Sequence, residues 1–201
     1  MMLEVKDATI AVGEKILATN LSFIARDGEL TCITGPEGSG KTAFIRTLMG
    51  FLPVKEGFVS VDGELLTVQS SHAFRRMMVY LPQTIQMLAH QLEEPTDTDS
   101  EETDYAVWDA LWPKSVKLET PAPLSSEAIF QLVEKTIREA PDKPIIVADE
   151  PAALMSGEQT ERLVDLLKGQ AAAGKTVLVA SSQYQIVSRA DQVITLENNR
   201  Q

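Results

Sequence analysis

The 201-residue sequence predicts an α/β fold built around a largely parallel β-sheet. Short apolar runs typical of strands alternate with segments whose apolar residues recur at helical spacing, which is the order of β-α units. The run at residues 145–148 is apolar at every position, as a strand covered on both faces requires. A glycine-rich segment at residues 35–42 joins a predicted strand to a predicted helix. These three observations together define the fold class.

The N-terminal part of the chain predicts β-strands joined by tight turns. Asp27-Gly28 marks the turn before the last of these strands. The apolar bursts fall at residues 3–5, 16–17, 21–24 and 30–33. The spacing then becomes helical from residue 42 to residue 51, where Gly50 is expected to end the helix.

The remaining elements continue the alternation of strands and helices. The predicted helices lie around Ala73, at residues 125–140, at residues 158–168 and near Ile186. The predicted strands lie at residues 59–61, 77–81, 145–148, 176–180 and 193–196. The sequence contains no internal repeat.

One stretch interrupts this order. Residues 93–104 are dense in acidic side chains interleaved with proline, threonine and serine. Like charges at this density repel each other, so a mobile surface loop is expected. A cation site is the alternative, although the spacing matches no calcium loop. The aromatic residues that follow, including Trp108 and Trp112, indicate a small helical insert with its own apolar face.

Composition and charge exclude several kinds of partner. The net charge of −11 argues against binding to nucleic acid and against an electrostatic grip on anionic lipid, because both require a basic face. No apolar run reaches the length of roughly 18 residues that a membrane-spanning helix needs, and no export signal is seen. The single cysteine, Cys32, cannot form an internal disulfide. A cytoplasmic protein without direct membrane insertion is expected.

The strongest chemical signal is a full match to G-x-x-x-x-G-K-[ST], which is the pattern of a P-loop. Glycines let the backbone curl so that successive N–H groups point at phosphate oxygens, and the following helix adds its positive dipole end. Lys41 is expected to reach the β- and γ-phosphates, and Thr42 to hold Mg²⁺. The predicted phosphate-binding residues are Gly35, Pro36, Glu37, Gly38, Ser39, Gly40, Lys41 and Thr42.

The second signal is an acidic pair at the end of the apolar run at residues 145–148. Asp149 and Glu150 come 107 and 108 residues after Thr42 (149 − 42 and 150 − 42). At the mouth of a parallel sheet beside a P-loop, Asp149 is predicted to hold Mg²⁺, and Glu150 to act as general base for an attacking water. An acidic pair of this kind is known as a Walker B element.

These motifs resemble those of the ABC (ATP-binding cassette) ATPases. The segment that ends in Pro82-Gln83 is similar to the family's Q-loop, and Pro151 directly after Glu150 is also typical. The resemblance implies that Gln83 contacts both Mg²⁺ and the attacking water. It further implies a P-loop NTPase fold with a mixed, largely parallel sheet, antiparallel N-terminal strands and a reduced helical subdomain at residues 84–125. Such domains bind Mg-ATP and work as head-to-tail dimers.

Several positions depart from the family pattern. The signature sequence LSGGQ corresponds to residues 124–128, where Ser125 is kept as the predicted contact to nucleotide but both glycines are replaced, by Ser126 and Glu127. Glu127 brings a negative charge toward the γ-phosphate of the partner's ATP. The switch histidine corresponds to Ser182, and the aromatic residue that stacks on adenine corresponds to Val12. Two explanations account for these losses. The sequence has drifted in a subunit that still hydrolyses ATP slowly, or the subunit is specialised as a nucleotide-gated clamp or an asymmetric partner.

The sequence thus predicts an ATP-binding subunit of an ABC-type system, cytoplasmic or peripheral at the inner membrane face through a permease subunit. We expect a homodimer or a heterodimer with another nucleotide-binding domain, and ATPase activity that is weak or dependent on a partner. A non-catalytic ATP-binding module that regulates or assembles a complex is the alternative. An ABC protein that acts on DNA or ribosomes is disfavoured by the charge of −11. No C-terminal regulatory domain is expected.

Overall fold

The computed structural model describes residues 1–83 and 124–197. In this part of the chain, strands and helices alternate from β3 onward as predicted, except that β5 follows β4 directly. The elements are β1 (Met2–Val12), β2 (Lys15–Arg26), β3 (Leu30–Thr34), α1 (Lys41–Leu48), β4 (Glu56–Val61), β5 (Glu64–Leu65), α2 (Ser71–Arg76), β6 (Met78–Leu81), α3 (Ser126–Arg138), β7 (Ile145–Asp149), α4 (Gly157–Ala172), β8 (Thr176–Ala180), α5 (Tyr184–Val187) and β9 (Gln192–Thr195).

The central sheet of the described chain is parallel, with strand order β6-β7-β8-β3-β9. All residues of β6, β7 and β8 are buried, because helices and the second sheet cover both faces. One face packs with α3 and α4, and the other packs with α1 and the N-terminal strands. Cys32 is fully buried in β3, where burial raises the pKa of its thiol to about 11.

The N-terminal strands form a separate antiparallel sheet with order β2-β1-β4-β5. The first three apolar bursts of the sequence belong to two long strands, β1 and β2, which form a hairpin closed at Val12 and Lys15. The pairing register shifts within this hairpin, and Asp7 and Asn20 have φ values of 48° and 53°. These irregularities break the two-residue alternation, which is why the sequence pattern looks fragmented. The predicted parallel and antiparallel parts are both present, in two sheets.

The predicted helices are found within a few residues of their expected bounds. The helical subdomain at residues 84–125 falls almost wholly outside the described residues, and the acidic loop at residues 93–104 falls outside them entirely. Both therefore remain predictions. Within residues 1–83 and 124–197, no helix is long and apolar enough to cross a membrane.

Candidate functional site

Most of the predicted site residues follow the carboxyl ends of parallel strands of the central sheet. Residues 35–42 follow β3, the acidic pair ends β7, and Gln83 lies two residues beyond β6. Because these strands are parallel in one sheet, with β8 between β7 and β3, the loops at their carboxyl ends lie along one edge. This edge is where open α/β sheets bind ligands.

The loop between β3 and α1 has a shape that only glycine permits at two positions. Gly40 has φ of 97°, and a Cβ atom there would lie 2.8 Å from Leu17 Cβ. A Cβ atom on Gly35 would lie 2.5 Å from the carbonyl oxygen of Leu196. Ser39 is buried, and its Oγ has no hydrogen-bond partner among the described residues. The loop therefore combines a backbone curl with a polar atom left unsatisfied inside it.

Lys41 begins α1 and turns its side chain back over this loop. Its ammonium donates to the carbonyl oxygens of Gly35, at 2.8 Å, and Pro36, at 3.4 Å. It also lies 3.4 Å from Glu150 Oε1, with 10% of the Lys41 side chain exposed. The glycine-rich loop and the acidic pair, predicted from distant parts of the sequence, therefore share one charged centre.

Thr42 and Asp149 form a second contact between the two motifs. Thr42 Oγ1 donates to Asp149 Oδ1 at 3.2 Å. Asp149 is only 1% exposed. Its pKa is raised, chiefly by burial, with a further increase from the charge of Glu150. The hydrogen bond from Thr42 and the positive charges of Arg46 and Lys41 act in the opposite direction.

Glu150 is held at the end of β7 in an uncommon backbone conformation. Its φ is 44°, in the left-handed region, and its N–H donates to the Ala180 carbonyl at 2.8 Å. Its carboxylate accepts from Ser181 Oγ at 3.2 Å, and from Ser182 N and Ser182 Oγ, both at 3.4 Å. The sequence singled out Ser182 and missed Ser181. The position of Ser181, directly after a strand beside β7, is the signal that was available.

Two other predicted residues lie at the margins of this edge. Gln83 is exposed, beyond the end of β6. Val12 is 46% exposed at the closed end of the β1–β2 hairpin, opposite Lys15. The same hairpin reaches the glycine-rich loop through Leu17, which packs against the position of Gly40.

Ser125 is the N-cap residue of α3, and its side-chain hydrogen bond is made within that helix. Its Oγ caps the helix by accepting from Ala128 N at 3.2 Å. In the first turn of α3, Glu127 is paired with Arg162 of α4 at 2.6 Å and accepts from Gln159 at 3.3 Å. Its pKa is lowered, chiefly by the hydrogen bond from Arg162.

The pairing of Glu127 changes the expectation drawn from its charge. The guanidinium of Arg162 balances the carboxylate and also lies 4.1 Å from the centre of the Phe130 ring, so it is itself held in place. A bare negative charge at the start of α3 was expected, and the chain instead supplies its own cation. Residue 162 lies 35 positions beyond Glu127 (162 − 127), on another helix, so the sequence alone gave no indication of this partner.

A parallel sheet with a glycine-rich loop between β3 and α1 defines the P-loop NTPase fold class. Within that class, the sequence profile of the ABC transporter family matches residues 18–164, which is most of the chain. The chain therefore belongs to the ABC transporter family.

Relatives and solved structures agree with this assignment. A predicted ABC transporter ATP-binding protein of Treponema denticola is 30% identical over 193 residues, which cover 91% of this chain and 38% of the relative. An ATP-dependent lipid A-core flippase of Xanthomonas oryzae pv. oryzae is 24% identical over 216 residues, covering 99% of this chain and 36% of the flippase. The chain thus spans little more than a third of the length of these two relatives.

Among solved structures, a dimeric ATP-binding cassette in a post-hydrolysis state with bound ADP and phosphate has a TM-score of 0.68 at 21% identity, covering 98% of this chain and 97% of the cassette. A nucleotide-free cassette from an ABC transporter has a TM-score of 0.70 at 17% identity, covering 98% of this chain and 89% of that one. At these identities the likeness establishes the fold of an ABC cassette.

Proposed function

We propose that this chain binds Mg-ATP at the edge where β3 and β7 end, and that it hydrolyses ATP slowly. The observation that carries the proposal is the convergence of the two motifs: Lys41 lies beside Glu150, and Thr42 is hydrogen-bonded to Asp149. Two motifs separated by more than a hundred residues meet in the arrangement that a metal-bound triphosphate requires.

The residues present fit a triphosphate. A glycine-rich curl of the kind at residues 35–42 can present successive N–H groups to phosphate. A Cβ atom at Gly35 or Gly40 would lie within 3 Å of neighbouring atoms and force them to move. The buried hydroxyl of Ser39, with no partner among the described residues, is available to a phosphate oxygen. The ammonium of Lys41 supplies a charge-assisted contact once it exchanges a carbonyl partner for phosphate.

The residues also fit Mg²⁺. Thr42 Oγ1 and Asp149 Oδ1 are hard oxygen donors 3.2 Å apart, close enough to be ligands of one ion. Among the described residues, no cluster of three or more His, Cys, Asp or Glu could hold a metal. Two side chains completed by phosphate and water suit Mg²⁺, which usually keeps several waters. Bound Mg²⁺ would neutralise charge that develops on the phosphates.

In this proposal, Glu150 is the catalytic base and Gln83 contacts the metal and the attacking water. The proximity of the Glu150 carboxylate to Lys41 supports this role, because Lys41 is the residue proposed to contact the terminal phosphate. Ser182 donates to Glu150, although a serine is too short to replace the reach of an imidazole toward phosphate. We therefore expect turnover by the isolated chain to stay below about 1 per second, the low end of ordinary enzymes.

We further propose that the chain works as a head-to-tail dimer with another nucleotide-binding domain and couples ATP binding to a membrane permease. Solved cassettes of this fold include a dimer, and the Xanthomonas relative is a flippase. Val12 would then border the base, and Ser125 would face the partner's nucleotide. Because Arg162 neutralises Glu127, the start of α3 opposes dimer closure around the partner's nucleotide less than an unpaired carboxylate would.

A non-catalytic ATP-binding module is the second candidate. It is favoured by the self-contained start of α3: Ser126 Oγ accepts from Ser156 N at 2.6 Å and lies 3.2 Å from Gln159 Oε1, so this hydroxyl is engaged within the chain. A module of this kind would bind Mg-ATP at the same site with no measurable turnover.

Two measurements test the proposal. Single-turnover hydrolysis of γ-labelled ATP separates the two candidates, with Lys41→Ala as the background control. A rate above that background supports slow hydrolysis, and a rate equal to it supports the non-catalytic module. For the permease, the tagged chain is expressed with its flanking genes and purified from detergent-solubilised membranes. Co-purification of a membrane protein supports the coupling, and recovery of the chain solely in the soluble fraction contradicts it.

A further inference from the structure

Glu150 uses its two carboxylate oxygens differently. Oε2 lies 3.2 Å from Ser181 Oγ and 3.4 Å from Ser182 N. Oε1 lies 3.4 Å from Lys41 Nζ and 3.4 Å from Ser182 Oγ. Both oxygens therefore contact the segment that follows β8, and Oε1 in addition contacts Lys41 beside the glycine-rich loop.

The direction of the Ser181 hydroxyl follows from its second contact. The Gln183 backbone N–H lies 3.2 Å from Ser181 Oγ and can act only as a donor. Ser181 Oγ therefore accepts from Gln183, and its own proton points at Glu150 Oε2. Ser181 is fully buried, so no bulk water competes for this proton. Hydrogen bonds of this charge-assisted type are among the strong ones in proteins.

The sheet register brings these residues together. Asp149 pairs with Ala180 in the parallel ladder, so Glu150 and Ser181 leave the sheet side by side. Glu150 also has a φ of 44°, a conformation that non-glycine residues adopt only where the surroundings hold them. The hydrogen bond from Ser181 fixes one oxygen of the Glu150 side chain on this backbone.

We propose that Ser181 is a positioning residue for Glu150: its hydroxyl holds Oε2, so that Oε1, the oxygen beside Lys41, stays directed toward the glycine-rich loop, where it takes the proton of the attacking water. This inference rests on the proposed hydrolysis, in which the water oxygen bonds to the terminal phosphorus, the water proton passes to Oε1, and the electron pair of the broken P–O bond leaves with ADP. Ser181 itself touches neither phosphate nor water.

The test measures hydrolysis and binding separately in a set of variants of the full chain. Ser181→Ala removes the hydroxyl. Ser181→Cys keeps the volume of the buried side chain but replaces the hydroxyl with a weak donor, so it covers the case in which a cavity impairs folding. Ser188→Ala is the matched control, because Ser188 is exposed, lies seven positions further along the chain, and makes no side-chain hydrogen bond with the described residues. Each variant is checked by its melting temperature.

We expect Ser181→Ala and Ser181→Cys to lower the single-turnover rate of ATP hydrolysis by about tenfold, a fraction of what a general base contributes. The Kd for Mg-ATP should stay within about threefold of wild type, because Ser181 does not contact phosphate. Ser188→Ala should change neither quantity. A selective loss of rate with retained binding is what a merely structural residue would not give.

Two results would overturn the inference while leaving the proposed function intact. One is a wild-type rate above the Lys41→Ala background with unchanged rates in both Ser181 variants. The other is a parallel loss of rate and binding, which would make Ser181 structural. If wild type does not exceed the Lys41→Ala background, hydrolysis itself fails, and the role of Ser181 fails with it.

Discussion

Replacing Asp149 by asparagine should have opposite effects on the free and the nucleotide-bound protein. Asp149 is 1% exposed, and burial raises its pKa, so its charged form is less well stabilised in the folded chain than in water. Asp149→Asn removes this charge but keeps an oxygen that accepts from Thr42. The free variant should therefore be more stable than wild type, while its Mg²⁺ site is weakened.

The sign of the pH dependence follows from the raised pKa. A carboxyl group that holds its proton more tightly when folded disfavours folding increasingly as pH rises from its ordinary pKa to the folded one. Above that window the cost stays constant, and below it the cost disappears. The advantage of Asp149→Asn should therefore grow as pH rises above the ordinary pKa of an aspartate and should vanish in strong acid. It rests on the raised pKa of Asp149 in the folded chain.

The magnitudes allow a clear assay. Single stabilising substitutions commonly yield about 0.5–2 kcal/mol, and 1 kcal/mol shifts the melting temperature of a domain of this size by about 2–4 °C. Mg-ATP at a hundred times its Kd stabilises wild type by about 2.7 kcal/mol. Calorimetric melting should thus rank the variant above wild type without nucleotide and below it with Mg-ATP.

The control is Asp142→Asn, which changes an exposed turn residue and should leave both melting temperatures unaltered. If Asp149→Asn lowers the melting temperature of the free protein, or gains as much from Mg-ATP as wild type does, the assignment of Asp149 as a buried metal ligand is wrong.

Two further predictions concern the glycine-rich loop and recognition of the adenine base. Gly40→Ala should weaken Mg-ATP binding by about tenfold or more and lower the melting temperature by several degrees, because it combines φ of 97° with a contact of 2.8 Å to Leu17 Cβ; wild-type affinity by calorimetry would refute this. With Val12 in place of an aromatic ring, ATP and GTP should bind within about a hundredfold, or 2.7 kcal/mol. A larger preference for ATP in competition binding would contradict it.

Local sequence was sufficient wherever a motif carries its own geometry. The glycine pattern at residues 35–42 dictates a curl between a strand and a helix, and β3 and α1 lie on either side of it. The apolar run before Asp149 predicted a strand buried on both faces, which β7 is. Ser125 was assigned to the start of a helix region, and it caps α3. In each case neighbouring residues determine the structure, so a single sequence reveals it.

Contacts between distant elements could not be predicted in this way. Glu127 meets Arg162 across two helices, and Ser181 meets Glu150 because β7 and β8 share a register. Neither pairing produces a recognisable pattern in the amino-acid sequence. The hairpin of β1 and β2 was fragmented in the sequence pattern because register shifts interrupt its alternation. The strand β5 was missed because it has only two residues, both exposed.

The affinity of Lys41→Ala for Mg-ATP, measured by titration calorimetry, tests the central claim most directly. In the free protein, Lys41 is held by Gly35 O, Pro36 O and Glu150, and binding should exchange part of this set for phosphate. Loss of a charge-assisted hydrogen bond, about 1.5–3 kcal/mol, predicts a Kd about 10- to 150-fold higher. Lys135→Ala, at an exposed position on α3, should bind as wild type does. Equal affinities for wild type and a folded Lys41→Ala variant would contradict the account.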